Sequence, residues 1–122
     1  MVREISTIII IIFLIFLGNH ITEEYTVYAT DTMIGLLEEI DKENKPNNEK
    51  INEVNEKWDE IKNKMAYYIE HNELEKVENY LKAIESSIQA DEIEDSKVYI
   101  NQCKYMLKHI SEKYQFNLQN IF

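Results

Sequence analysis

Between Ile8 and Leu17 the chain reads IIIIIFLIFL, with no charged or hydrogen-bonding side chain to interrupt it. Such a run is at home in a protein core or in the hydrocarbon of a bilayer, and in a bilayer its backbone must close its own hydrogen bonds as a helix. Ile5 to Gly18 covers 14 residues, about 21 Å of helix against a hydrocarbon thickness of about 30 Å. Taking the span as Met1 to Ile21 gives about 31 Å, with Arg3 snorkelling to one interface, Asn19 and His20 at the other, and Tyr25 and Tyr28 just beyond. Residues 1–21 therefore read as a transmembrane helix in contact with membrane lipid, and 22–122 as the domain it carries.

A cleaved signal peptide would open in the same way but needs small residues at the cut site, close behind the apolar run. Phe16 with Gly18 makes a poor pair, and Val27 with Ala29 lies too far downstream. A retained signal-anchor is thus preferred over cleavage and over a soluble protein that buries the run. Arg3 and the terminal amine precede the span, whereas Glu23 and Glu24 follow it, with no Lys or Arg before Lys42. The positive-inside rule then places the N-terminus in the cytoplasm and the remainder outside it, on the cell membrane.

Beyond the span the chain has almost no turn material, since two Gly and one Pro serve all 122 residues. That disfavours a sheet and, with abundant Leu, Ile, Glu and Lys, predicts an all-α fold. Ile21, Tyr25, Tyr28, Thr32, Leu36 and Ile40 recur at three- and four-residue steps, so the first helix is expected to run on to about Lys42. ENKPNN, Glu43 to Asn48, is the strongest breaker and is read as a hinge near 43–48. A second stripe of Ile51, Val54, Trp58, Ile61, Met65 and Ile69 ends near Glu70 and His71. Asn72 with Glu75 then suggests an N-cap and capping box for a helix carrying Leu74, Val77, Leu81, Ile84 and Ile88. Asp91 with Glu94 repeats the pattern before Ile93, Ile100, Cys103, Leu107, Ile110 and Tyr114. Short connections make these last three helices an antiparallel bundle over 49–122, built around Trp58.

Charge and composition narrow the chemistry. The balance of 13 basic and 23 acidic residues leaves a formal charge of −10, and Arg3 is the single arginine. No nucleic-acid partner is expected of such a surface. Gly18 and Gly35, the two glycines, cannot build a phosphate loop, so no nucleotide is expected. His20, His71 and His109 stand outside any paired metal-ligand frame, and DEIED, Asp91 to Asp95, lacks the alternation and central Gly of a calcium loop. Neither a metal nor another cofactor is expected, nor is an enzyme, because the serines fall in helical stretches without an elbow-like turn. Cys103, the lone thiol, lies on an apolar stripe and reads as a small buried hydrophobe.

Two features stand apart from a plain spacer. EHNELE places His71 between Glu70 and Glu73 at a helix joint, where the imidazole would cap the preceding helix or titrate against the carboxylates. The closing Asn120-Ile121-Phe122 ends the sequence on two large apolar residues, which either pack back on the bundle or are offered to a partner.

With its single span, its acidic helical region, Trp58, the Glu70-His71-x-Glu73 joint and the Asn120-Ile121-Phe122 ending, the chain resembles a family of small single-span bacterial membrane proteins of unknown function, found chiefly in anaerobic spore-formers. The resemblance implies a membrane-anchored bundle, transfers no catalytic residue, and suggests another membrane protein as partner. The functional expectation is a non-catalytic accessory or interaction module of the cell envelope. The alternative is an extracytoplasmic sensor or small-ligand-binding domain.

Overall fold

The computed structural model describes the chain through Ile121, with side chains through Gln115. The apolar ending, Phe116, Leu118, Asn120, Ile121 and Phe122, therefore lies outside the described side chains. Four helices account for the described fold: α1 (Val2–Asp41), α2 (Asn48–Met65), α3 (His71–Gln89) and α4 (Ile93–Ile121). The expected long apolar N-terminal helix and the helical bundle after it are both present.

That bundle has one member more than periodicity assigned, because the second half of α1 belongs to it. Ala29, Met33, Leu37 and Ile40 are sealed from solvent in the same core as Trp58, Leu81, Ile100 and Leu107. Cross-helix bonds fix an up-down-up-down course. Glu43 pairs with Lys50 at 2.7 Å at the α1–α2 corner, Lys62 with Glu78 at 2.9 Å between α2 and α3, and Lys97 Nζ donates to the Asp41 carbonyl at 3.4 Å between α4 and α1. The helices meet as a ring in which α1 touches α2 and α4, and α3 touches α2 and α4. α4 makes the widest contacts. Knobs from each stripe thus fill one shared core, the arrangement that short connections between amphipathic helices favour.

The buried face of α1 is rotated from the expected stripe. Tyr28 and Ile21 are exposed, whereas Thr26, Ala29, Thr30, Met33 and Leu37 are buried. The cause is that the threonines satisfy themselves. Thr26 Oγ1 donates to the Thr22 carbonyl at 2.6 Å and Thr30 Oγ1 to the Thr26 carbonyl at 2.8 Å. A hydroxyl so bonded enters a core without the penalty of an orphaned polar group, and small Ala and Thr side chains let neighbouring helices approach. Apolar counting passes over such a face.

The stripes of α2 and α3 are buried as expected, but three helix ends differ. α2 stops at Met65, and Ile69 is buried from the turn that follows. α3 begins at His71 with Glu70, not Asn72, at the N-cap, and no side chain caps it. The Glu73 and Leu74 amides already bond the Glu70 carbonyl, which fixes the first turn two residues early. Asp91 closes α3 and does not cap α4. Its φ of 60° is left-handed, with the Glu92 amide bonded to the Ser87 carbonyl at 2.8 Å and the Asp91 amide to that of Ile88 at 3.1 Å. This is the Schellman closure, with aspartate in the place glycine usually takes. At the remaining corner Asn47 Oδ1 accepts from the Lys50 amide at 3.1 Å, a side-chain N-cap for α2.

Trp58 is 2% exposed, and its indole N–H has no hydrogen-bond partner. Trp58→Ala is expected to cost about 3–5 kcal/mol, the range for emptying a large aromatic site. Trp58→Phe, which also removes the unpaired donor, should cost only about 1–2 kcal/mol. Denaturant unfolding of the full chain in detergent, followed by circular dichroism, measures both. Because α1 completes the core, a fragment of residues 21–122 should melt cooperatively. Residues 48–122, stripped of Ala29, Met33, Leu37 and Ile40, should not.

Candidate functional site

Polar and aromatic side chains converge at one end of the bundle, where the α2–α3 turn and the last described turns of α4 meet the middle of α1. Since α2 runs back along α1 from the far corner, its closing turn faces the apolar half of α1. Tyr68 leads the contact. Its hydroxyl lies 2.7 Å from Thr26 Oγ1 and 3.4 Å from the Thr22 carbonyl oxygen. The Thr26 proton is already given to Thr22, so Tyr68 donates here. Tyr114 of α4 packs edge-on against the Tyr68 ring, with centroids 6.1 Å apart, and its hydroxyl accepts from the Glu70 backbone N–H at 3.0 Å. The first orphan amide of α3 is thereby capped by a tyrosine from another helix. Burial raises the pKa of both phenols above the ordinary range, so both stay protonated at neutral pH.

One turn into α3, Glu73 is buried, its side chain 8% exposed. Glu73 Oε1 accepts from Lys113 Nζ at 2.8 Å, and His109 Nε2 stands 3.9 Å from the same oxygen. Glu73 Oε2 is sealed without a partner. The Glu73 bond raises the Lys113 pKa, which keeps this ammonium charged. Glu70 reaches toward Lys113 only to 4.0 Å. Lys113 also lies 6.0 Å from the Tyr114 ring centroid, within cation–π range. The joint therefore draws on all three segments beside α1: the α2–α3 turn, α3 and α4.

The residues singled out in the sequence take different places. Trp58 lies in the core, away from the surface. Glu70 and Glu73 belong to the joint, while His71, exposed as the first residue of α3, bonds to neither of them. The histidine beside Glu73 is His109. Tyr68, Lys113, His109 and the threonines Thr22 and Thr26 were not singled out for this role. Tyr68 lies in a turn, beyond any helical period. The Thr22, Thr26, Thr30 spacing at four residues was the one legible signal, since hydroxyls in that register can each bond the preceding carbonyl.

The joint has the makings of a structural clasp. Among the described residues no group of three or more His, Cys, Asp or Glu side chains is arranged to hold a metal ion. No described serine hydroxyl is hydrogen-bonded to a histidine; Ser96 Oγ donates at 2.6 Å to the Ile93 carbonyl of its own helix. Cys103 is sealed in the core, and burial pushes its pKa up to about 12, so it carries no thiolate at neutral pH. The groove between α1 and α2, lined by Thr32, Leu36, Glu53, Glu56, Lys57 and Glu60, is open to solvent.

Removing Lys113 leaves the buried Glu73 carboxylate without its 2.8 Å ammonium partner. Lys113→Met is therefore expected to lower the melting temperature more than the paired change Glu73→Leu with Lys113→Met, which removes both charges. Thermal unfolding of the four members of this double-mutant cycle measures the coupling.

One helix, α1, is long and apolar enough to cross a membrane, and none of its apolar window is buried within the fold. No curated protein and no solved structure matches the chain. The family described as a domain of unknown function, DUF4363, matches residues 16–121, from the end of the apolar run to the end of α4. The chain belongs to this DUF4363 family.

Proposed function

We propose that the protein is a single-pass, membrane-anchored accessory module of the cell envelope that holds a rigid helical bundle at a set distance from the bilayer and offers its surface to another membrane protein. One observation supports this above the others: the same 40-residue helix buries none of its apolar run in the fold and enters the core through its second half. A helix of that length extends about 60 Å, roughly half in lipid and half in the bundle. With Arg3 before the span and Glu23 and Glu24 after it, the N-terminus is cytoplasmic and the bundle extracytoplasmic.

No catalytic role is assigned. At the clasp Tyr114 bonds the Glu70 amide and Lys113 bonds Glu73 Oε1, and the one thiol is buried and protonated. A ligand-sensing role calls for an enclosed receiver, and the α1–α2 groove, open and lined by three glutamates, favours contact with another surface instead.

Fractionation with protease added to intact cells tests the placement. The full-length chain should be recovered with the membrane fraction and its bundle should be digested only from outside. Mature product beginning after residue 21, or recovery in the aqueous interior, would overturn the proposal. Crosslinking in native membranes should capture one reproducible membrane-protein partner; recovery of monomer alone would count against an accessory role.

A further inference from the structure

Tyr67 is 91% exposed, the barest large hydrophobic side chain among the described residues after the first methionine. It stands on the α2–α3 turn next to Tyr68, whose hydroxyl is tied to Thr22 and Thr26. That tie sets the height of the turn along α1. Ile21 closes the proposed span, and Thr22 is the next residue, about 1.5 Å further along the axis. The polar layer on each face of a bilayer is about 5–7 Å deep beyond the hydrocarbon. A turn at the level of Thr22 therefore meets the headgroup layer if α1 spans the membrane, and Tyr67 projects from the end of the bundle that faces it.

We infer that Tyr67 is a second membrane contact, its ring seated at the headgroup and upper acyl level of the bilayer that α1 crosses. The inference rests on the proposed membrane placement of α1. Tyrosine suits this depth because its ring is apolar and its hydroxyl remains wet. Charge does not drive the contact. Glu23, Glu24 and Glu70 share this end of the molecule with Lys64 and Lys113, and such a mixture gives no basic patch to draw anionic lipid. The ring should therefore sit at the same depth in neutral and in anionic bilayers. With α1 as a first point of attachment, contact at the turn would limit rocking of the bundle about the α1 axis.

The test uses the full chain in phosphatidylcholine vesicles, with and without phosphatidylglycerol, carrying one added tryptophan: Tyr67→Trp, Phe13→Trp as the deep reference, or Tyr105→Trp as the aqueous reference, Tyr105 being 74% exposed on α4. Trp58, sealed in the core, provides a constant background to subtract. Lipids brominated at shallow or deep acyl positions report depth. The indole at 67 should shift to the blue and lose emission mainly to shallow bromines, equally in both lipid mixtures; the one at 13 should lose it mainly to deep bromines, and the one at 105 to neither. An indole at 67 as red and unquenched as that at 105, while the one at 13 is quenched, overturns the inference and leaves the anchor standing. An unquenched indole at 13 overturns the anchor and the inference together. Quenching at 67 only with phosphatidylglycerol overturns the uncharged mode of contact.

Discussion

The structure depends on a helix that is not allowed to stop. An apolar run in hydrocarbon must satisfy every backbone donor and acceptor within itself, and ending the helix at the lipid boundary would leave up to four carbonyls without intrahelical partners. α1 continues to Asp41, so its last carbonyls lie at the far corner of the bundle. There the Lys42 amide bonds the Glu38 carbonyl at 3.1 Å and Lys97 covers the Asp41 carbonyl. Running unbroken out of its apolar half, α1 presents its second half as a wall, against which α2 and α4 pack on either side and α3 closes the ring.

The two ends of the bundle are held in different ways. At the far end the ties are ion pairs with substantial exposure, Glu43–Lys50 and Lys104–Glu38, each of a kind that adds little stability in water. At the near end they are hydrogen bonds among Thr26, Tyr68, Tyr114, Glu70, Glu73 and Lys113, of which Thr26–Tyr68 and Lys113–Glu73 are half-buried, and there loss of one partner strands another. Apolar stripes alone would tolerate a slip of one helix along its neighbour by a turn. Hydroxyl and carboxylate pairs at fixed heights do not, so the near end sets the register and the far end follows.

Periodicity made most of this legible. The stripes of α2 and α3, and Ile100, Cys103, Leu107 and Ile110 of α4, could be named from apolar spacing because those helices each bury one continuous apolar face. α1 resisted the same treatment. Its buried face is built from Thr26, Ala29 and Thr30 as much as from Met33 and Leu37, and its large exposed residues Ile21 and Tyr28 pulled the apparent stripe aside. Glu73 was noted for its place beside His71, yet its partners His109 and Lys113 come from more than thirty residues away, a pairing only the helix register reveals. Asp91 misled for a related reason: the same residue type serves a helix start with its side chain and a helix end by tolerating positive φ, and local sequence does not tell which.

The position of the clasp bears on what such a molecule can do. Thr22 and Thr26 are the residues at which α1 passes from its exposed half into the core, and Tyr68, Tyr114, Glu73 and Lys113 tie the other helices to that level. A lateral force applied to the bundle would have to break these polar contacts and draw Met33, Leu37 and Ile40 out of the shared core before α1 could move independently. Apolar contacts specify no single height along a helix, whereas the part-buried Tyr68–Thr26 pair, 2.7 Å apart, is made at one height only. The bundle and the upper part of α1 therefore move as one body, and whatever grips the outer helices also holds the apolar half of α1.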